Sequence, residues 1–236
     1  MFSIQESELN YWNDRVEKLD PEAIMSQVYS SIKNITLACS FGPEDMVLID
    51  MIAKGKLPIP VFYIDTQLLF AETYGLRDVA IEYYRAVDFI QVLPTISLEE
   101  QERAFGMNLY ATRPDECCSL RKVRPLEQHL KQFDGWITGI RREQSPTRAN
   151  AHIVEQDHRF GLVKVNPLAL WSHEQVWDYI NQHGVPYNPL HDHGYPSIGC
   201  SPCTQPVKEG DDPRSGRWSG FAKTECGLHT EAGESL

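Results

Sequence analysis

The sequence contains no run of about 18 apolar residues, the length at which a membrane-spanning helix becomes a candidate. Residues 1–6 have neither a basic start nor an apolar run, so they do not resemble a signal peptide. An excess of positive charge is also lacking, since 22 Lys and Arg stand against 33 Asp and Glu, for a net charge of −11. A nucleic-acid partner is therefore disfavoured. We expect a cytoplasmic protein that binds neither membranes nor nucleic acid.

Internal repeats and low-complexity blocks are absent as well, which argues against a repeat architecture or a linker. A chain of 236 residues of which 42% are hydrophobic can bury one substantial core. We therefore predict a single domain over residues 1–229, with an α/β core at 32–183 and an irregular segment at 184–229. Residues 230–236 fit no pattern and are predicted to form a disordered tail.

Short apolar runs alternate with helical patterns along the chain, which predicts a mostly parallel sheet flanked by helices. Ligands of such sheets bind at the carboxyl ends of the strands. Beyond Gly184 the chain is rich in Pro, Gly and His and has little periodicity, so we predict irregular structure there. The predicted strands are residues 35–40, 61–65, 89–93 and 136–140, with a hairpin at 153–165; helices are predicted at 6–31 with a break at Asp20-Pro21, and near 44–51, 70–84, 97–105, 120–130 and 173–183.

Four of the six cysteines form two close pairs, Cys117 with Cys118 and Cys200 with Cys203, while Cys39 lies in a predicted strand. In a reducing compartment such cysteines are ligands or catalysts more often than disulfides. Zinc sites usually draw their cysteines from CxxC turns, whereas adjacent side chains on a helix diverge by about 100°. An iron–sulfur cluster offers several irons to such sulfurs. The spacing therefore makes a cluster physically reasonable, and zinc or a redox disulfide are the alternatives.

One more cysteine, Cys226, stands near the C-terminus in the sequence Glu-Cys-Gly-Leu-His, which ends at His229. A thiolate, rather than a thiol, attacks as a nucleophile, and cationic neighbours favour the thiolate. Lys223 precedes this cysteine, and Arg214 and Arg217 lie farther upstream. The polar tail and the adjacent glycine favour mobility, so Cys226 is a candidate nucleophile.

Two further segments follow predicted strands and suit anions. Residues 40–45, Ser-Phe-Gly-Pro-Glu-Asp, lie where a strand turns into a helix, so backbone N–H groups and the helix dipole can receive a phosphate. This loop is neither a Walker A motif nor a dinucleotide fingerprint. Residues 139–148 contain Arg141, Arg142 and Arg148, and the planar guanidinium group suits phosphate and sulfate.

In their order along nearly the whole chain, these motifs resemble the phosphoadenylyl-sulfate reductase family, and within it the assimilatory adenylyl-sulfate reductases that contain an iron–sulfur cluster. The tandem cysteines followed by Arg121-Lys122, the GxRxxxSxxR segment, the CxxC pair and the Glu-Cys-Gly-Leu-His ending carry the resemblance. It implies an α/β fold like that of PP-loop adenine-nucleotide hydrolases. The implied reaction is thioredoxin-dependent reduction of adenosine 5′-phosphosulfate to sulfite and AMP, through an S-sulfocysteine on Cys226, in sulfate assimilation towards cysteine.

The resemblance also implies the site residues. One [4Fe-4S] cluster is expected on Cys117, Cys118, Cys200 and Cys203. The residues expected to bind substrate are Ser40, Gly42, Glu44, Asp65 and Thr66 for the nucleotide, Arg141 and Arg142 for an anion, and Lys122, Arg214 and Arg217 for the sulfate. His229 is expected to assist Cys226 as a second catalytic residue.

Several alternatives stay open. The substrate is adenylyl sulfate, its 3′-phosphorylated form, or both. An ATP-using PP-loop enzyme is less favoured because the loop at residues 40–45 lacks the lysine of a Ser-Gly-Gly-Lys-Asp motif. A non-catalytic iron–sulfur sensor would need no Cys226. The resemblance also allows a homo-oligomer.

Overall fold

The computed structural model describes residues 6–221, 223 and 225. Its contacts divide the chain into two compact units, each built from three separate segments. Unit 1 comprises Met1–Tyr63, Leu76–Ile90 and Leu130–Tyr187, and unit 2 comprises Ile64–Gly75, Gln91–His129 and Asn188–Leu236. The single domain over residues 1–229 and the disordered tail stay predictions.

Six strands form one sheet in the order β3-β2-β1-β4-β6-β5. In unit 1, β1 lies parallel to β2 and to β4, and β4 lies parallel to β6. β5 pairs antiparallel with β6, as the predicted hairpin requires. The mostly parallel sheet predicted from the sequence is therefore confirmed. The strands are β1 Ile35–Cys39, β2 Val61–Ile64, β3 Phe89–Val92, β4 Gly135–Ile137, β5 Val154–Asp157 and β6 Leu162–Val165.

Helices of unit 1 begin and end at residues with clear capping roles. The carboxylate of Asp20 accepts from Ala23 N at 2.8 Å and begins α2, which explains the break predicted before Pro21. Ser172 and Gln175 form a capping box at α9, which ends at Gly184 with a φ of 62°. The central helix α3 is buried along most of its length, so it packs as part of the core. These helices are α1 Glu6–Val16, α2 Pro21–Ser31, α3 Pro43–Lys54 and α9 His173–His183, and α4, Ala71–Tyr83, runs from unit 2 into unit 1.

Unit 2 contains shorter helices and most of the irregular chain. One turn between α7 and α8, Ser119–Val123, is π-helical, where the sequence predicted an ordinary helix over residues 120–130. From Asn188 onwards the described residues contain only 3₁₀ turns and isolated bridges, as predicted. No helix in the described part of the chain is both long and apolar enough to span a membrane. The helices are α5 Leu98–Phe105, α6 Leu109–Thr112, α7 Pro114–Cys118 and α8 Arg124–Leu130, whose last residue belongs to unit 1.

Candidate active site

The loop that follows β1 in unit 1 is strained and ordered. Phe41 has a φ of 61° and is 4% exposed, and its ring contacts that of Tyr63 with centroids 5.3 Å apart. A left-handed backbone at a bulky residue costs roughly 1–3 kcal/mol, which burial of the ring offsets. Gly42 is the N-cap of α3 and provides no capping side chain. The anionic ligand expected at the start of α3 stays a prediction.

Asp45 organises this loop, although the sequence analysis did not include it among the site residues. Its Oδ2 accepts from Ser40 N at 2.6 Å and from Ser40 Oγ at 2.7 Å. Burial raises the pKa of Asp45 to about 6, although the hydrogen bonds from Ser40 act in the opposite direction. A Cβ on Gly139 would lie 2.5 Å from Asp45 Oδ1 and 2.9 Å from Glu44 Cβ, so the loop needs glycine at position 139.

Arg141 contributes a buried cation to the same part of unit 1. Its Nε donates to Glu44 Oε1 at 2.8 Å, and the two side chains are 5% and 14% exposed. Arg142 Nε donates to Ala151 O at 2.8 Å, and Arg148 Nη1 donates to Gln144 Oε1 at 2.6 Å. The structure therefore brings together four residues predicted for the nucleotide and anion site, Ser40, Gly42, Glu44 and Arg141, while Arg142 orders the loop that follows.

The four paired cysteines line one cavity in unit 2. α7 carries Cys117 and Cys118, which are 6% and 7% exposed. Cys200 is 9% exposed and begins the 3₁₀ turn Ser201–Cys203, whose last residue is half-buried. The cavity is narrow and partly open to solvent. Its other lining residues are Leu68, Tyr110, Pro114, Arg121, Lys122, Arg217 and Trp218.

The surroundings of these thiols raise the pKa of two of them. In residues 6–221, 223 and 225, no three His, Cys, Asp or Glu side chains are arranged to hold one metal ion. Burial and the neighbouring cysteines raise the pKa of Cys117 to about 12 and that of Cys203 to about 11. A positively charged centre would bring them to the thiolate form, which is the form that binds metal. Arg121 opposes the shift at Cys117, and Lys122 and Arg217 oppose it at Cys203.

Arg121, on the π-helical turn, is 1% exposed and joins three parts of unit 2. Its Nε donates to Thr66 O at 2.6 Å and its Nη2 to Gln67 Oε1 at 2.7 Å. Nη1 donates to Gln101 Oε1 at 3.1 Å. The hydroxyl of Thr66 lies 3.4 Å from Cys200 Sγ. The predicted nucleotide residue Thr66 therefore contacts the cysteine cavity, which its sequence position did not reveal.

Asp65, also predicted for the nucleotide site, uses its carboxylate to order the loop after β2. Oδ1 accepts from Tyr74 OH at 2.7 Å and from Gln67 N at 2.8 Å, and Oδ2 accepts from Gln91 Nε2 at 2.8 Å. Burial to 7% exposure and these donors fix its orientation. Asp65 therefore holds Gln67 in place, and Gln67 in turn accepts from Arg121.

Arg217 lies in the wall of the cysteine cavity with one donor unused. Its guanidinium carbon is 4.5 Å from the centroid of the Trp218 ring, and Nη1 donates to Ser197 Oγ at 3.1 Å. Within the part of the chain that the structure describes, its buried Nε has no hydrogen-bond acceptor. A buried unsatisfied donor is unfavourable unless an acceptor binds. Arg217 is therefore suited to a sulfur or an oxyanion in this cavity, and buried Trp218 lines the same cavity.

Two ion pairs hold residues close to the C-terminus. Arg214 Nη2 lies 3.0 Å from Glu225 Oε2, with side chains 18% and 9% exposed. Lys223 Nζ pairs with Asp115 of α7. The predicted catalytic residues Cys226 and His229 lie outside the described residues.

Comparison with known proteins identifies the family. Residues 34–206 match the family described as the phosphoadenosine phosphosulfate reductase domain. The chain belongs to this family.

Curated members of the family match this chain over almost its full length. A protein of Halalkalibacterium halodurans named adenosine 5′-phosphosulfate reductase is 47% identical, over 94% of this chain and 96% of its own. One from Gloeobacter violaceus named phosphoadenosine 5′-phosphosulfate reductase is 46% identical, over 96% of this chain and 95% of its own. Both names denote oxidoreductases acting on sulfur, so the enzyme class predicted from the sequence is confirmed.

Solved structures agree with the fold. The phosphoadenylyl-sulfate reductase of Candida auris, solved as a phosphate complex, superposes with a TM-score of 0.76 at 28% identity, over 87% of this chain and 98% of that one. Candida glabrata FMN adenylyltransferase, at 12% identity, gives a TM-score of 0.59 over 91% of this chain and 74% of its own. This second likeness concerns the fold alone. The predicted family and PP-loop-type fold are therefore confirmed, whereas the individual residue roles stay predictions.

Proposed function

We propose that the chain reduces adenosine 5′-phosphosulfate to sulfite and AMP with electrons from thioredoxin, as a step of sulfate assimilation towards cysteine. Family membership and the relative named adenosine 5′-phosphosulfate reductase support the reaction. The observation that carries the proposal is the single cavity lined by four cysteines, Lys122 and Arg217. We favour adenylyl sulfate because the sequence resemblance associates this cysteine set with that nucleotide.

The proposal includes a [4Fe-4S] cluster on Cys117, Cys118, Cys200 and Cys203. When bound, such a cluster would supply a fixed negative charge and a rigid anchor for the chain. The residues that face the thiols fit it, because Arg121, Lys122 and Arg217 bring three positive charges to the cavity. Thr66 Oγ1 lies 3.4 Å from Cys200 Sγ, and the unsatisfied Nε of Arg217 is a donor for a ligand or a cluster sulfur atom. Zinc is less favoured, since the adjacent side chains of Cys117 and Cys118 diverge along the helix and converge poorly on one ion.

The proposed chemistry has two substitutions at sulfur. The thiolate of Cys226 attacks the sulfate sulfur of the nucleotide, an S–S bond forms, and the S–O bond to the phosphate breaks as AMP leaves. One thioredoxin thiolate then attacks Sγ of Cys226, and sulfite leaves with the electron pair of the S–S bond. The second thioredoxin thiol resolves the mixed disulfide and regenerates Cys226, so that two electrons pass from the dithiol to the sulfate-level sulfur, which leaves as sulfite.

Cationic side chains have a defined task in this chemistry. A thiolate and a sulfate group repel each other, and fixed positive charges offset that repulsion in the transition state. In unit 2 we assign this task to Lys122 and Arg217, with Arg214 as a further sulfate ligand. In unit 1 we assign recognition of the nucleotide to the loop of Ser40 and Gly42 with the Glu44–Arg141 pair. His229 is proposed to assist the thiolate of Cys226.

Mass spectrometry tests the proposal directly. Incubating the protein with adenylyl sulfate and no reductant should add one sulfonate group to the peptide that contains Cys226, and reduced thioredoxin should then release sulfite. Cys226→Ser should lose the adduct and turnover but retain iron, whereas Cys39→Ala, which removes a thiol buried in unit 1, should retain the adduct. Release of sulfite without an adduct on Cys226 would overturn the mechanism.

The same assay separates the alternatives. Steady-state rates with 3′-phosphoadenylyl sulfate distinguish the two nucleotides, and we expect adenylyl sulfate to give the higher kcat/KM. ATP-dependent release of pyrophosphate would instead indicate an ATP-using PP-loop enzyme. A response to iron or oxidants that survives Cys226→Ser, with no sulfite formed, would indicate a sensor.

We propose the cytoplasm as the location, since the cycle requires reduced thiols. The homo-oligomer stays a prediction, which analytical ultracentrifugation can test.

A further inference from the structure

The segment that leads to Cys226 is fastened to unit 2 by the two ion pairs Lys223–Asp115 and Arg214–Glu225, which we call the tail latch. The side chain of Lys223 is 5% exposed and that of Glu225 is 9% exposed. Burial of a charged side chain is unfavourable unless a partner balances the charge, so each pairing has a structural reason. Asp115 is 47% exposed and gives Lys223 a partially screened counter-ion.

Trp218 forms the support beneath this segment. Lys223 Nζ lies 5.4 Å from the centroid of the Trp218 ring, and the guanidinium carbon of Arg217 lies 4.5 Å from it. A cation within about 6 Å of an indole ring is stabilised by the charge distribution of the ring. Trp218 is 3% exposed and lines the cavity of the four cysteines. Lys223 therefore packs against the indole of Trp218, which also lines the cysteine cavity.

Both cysteine pairs are connected to this segment through the chain itself. Asp115 lies on α7, two residues before Cys117. Trp218 N donates to Cys203 O at 3.0 Å, which fastens the other end of the segment to the CxxC turn. The helix that carries the first pair therefore holds Lys223, three positions before Cys226, and the turn that carries the second pair holds Trp218, against which Lys223 packs.

We propose that Lys223, Asp115 and Glu225 are positioning residues for the nucleophile, and that the tail latch transmits the order of the cysteine site to residue 226. This inference rests on the proposed function, because it takes Cys226 as the attacking thiol. Cys226 follows Glu225 directly in the sequence, so the tail latch acts on the residue that is bonded to the proposed nucleophile. Restricting a reacting group in this way raises the turnover rate more than it changes the affinity for substrate.

Trypsin cleavage after Lys223 provides a readout that does not depend on activity. A protease must extend the chain around its target bond, so an anchored lysine is cleaved slowly. With the holoenzyme, Asp115→Asn should raise the initial rate of release of residues 224–236 by about fivefold, which corresponds to the loss of about 1 kcal/mol from an ion pair. Glu225→Gln should act in the same direction. Both variants should lower kcat by a similar factor, with KM for adenylyl sulfate within about twofold of wild type and iron per chain unchanged.

Matched controls lie next to the latch. Glu116→Gln removes the neighbouring carboxylate of α7, which pairs with Arg113 at 2.6 Å on the surface, and should leave cleavage and kcat unchanged. Lys223→Arg preserves the charge, the stacking and a tryptic bond, so it should behave like wild type.

The inference is overturned if Asp115→Asn is cleaved after Lys223 no faster than wild type, or if Glu116→Gln accelerates cleavage equally. Failure of the proposed function has a different signature, namely no sulfonate on Cys226 of the wild-type protein. A latch that fails alone would leave that sulfonate in place while cleavage and kcat stay unchanged in the Asp115→Asn variant.

Discussion

Gly216→Ala is expected to damage the cysteine site without touching a cysteine. The added Cβ would lie 2.2 Å from the carbonyl oxygen of Gln205 and 2.9 Å from Cγ2 of Val207. These contacts are with backbone and with a short branched side chain, so rotation of a flexible group cannot relieve them. The two segments that run past each other here must therefore separate by about 1 Å to reach ordinary van der Waals distance.

That separation breaks hydrogen bonds on which the site depends. Gln205 N donates to Gly216 O at 2.9 Å, and Trp218 N donates to Cys203 O at 3.0 Å. Lengthening both by about 1 Å takes them outside the hydrogen-bonding range of roughly 2.7–3.2 Å. Each lost bond costs about 1 kcal/mol, and more where a buried group stays unpaired, so we expect destabilisation by about 2–4 kcal/mol.

Urea unfolding followed by fluorescence measures this change, and the ratio of iron to protein reports on the cysteine site. Gly75→Ala is the matched control, because a Cβ on Gly75 meets nothing within 4 Å and its position is inside α4. Alanine there should leave stability unchanged or raise it by up to about 1 kcal/mol. If Gly216→Ala unfolds within about 0.5 kcal/mol of wild type and retains its iron, the steric reasoning is wrong.

Three further predictions concern buried charges and the loop of unit 1. Burial raises the pKa of Asp45 from 3.8 to about 6. The protonated carboxyl of Asp45 therefore contributes stability that is fully present below pH 3.8 and is lost as the pH rises through about 6, by up to about 3 kcal/mol. Asp45→Asn should flatten the pH dependence of the unfolding midpoint between these two pH values. Arg141→Met removes the cation that faces Glu44 and should destabilise the protein by about 3 kcal/mol. A double-mutant cycle with Glu44→Gln, measured by urea unfolding, should show a loss of stability in the double variant that is smaller than the sum of the two single losses. A strictly additive cycle would mean that the two side chains are not coupled. Arg121→Met leaves buried acceptors unpaired and should cost about 2–4 kcal/mol and lower the iron content, whereas retention of full iron would contradict the role given to its charge.

The elements with local signals were predictable from the sequence. The strand Ile35–Cys39 is a run of small and β-branched residues, and α9 has a capping box at one end and Gly184 at the other. Capping and periodicity act over a few residues, so a single sequence contains the information. The loop of residues 40–45 and the four cysteines were found in the same way, because their chemistry is carried by residue type and spacing.

The features that depend on long-range packing could not be predicted from the sequence. Arg121 follows the tandem cysteines in the sequence, but its burial depends on acceptors from Thr66, Gln67 and Gln101, which are 20 or more positions away. The π-helical turn Ser119–Val123 has no signal of its own, because one additional residue in a turn leaves the composition of a helix unchanged. Tertiary contacts also decide that Asp65 orders a loop, since its partners come from α4 and β3.

The interleaved course of the chain also has a consequence for synthesis on the ribosome. Unit 1 ends at Tyr187 and unit 2 resumes at Asn188, so the last segment of unit 2 emerges only after unit 1 is fully translated. Between Cys118 and Cys200 lie 82 steps of elongation (200 − 118), which last about 4–16 s at roughly 5–20 residues per second. During that interval the first cysteine pair has been synthesised and the second has not. Completion of the cysteine cavity is therefore a late event, which follows the synthesis of all six strands of the sheet.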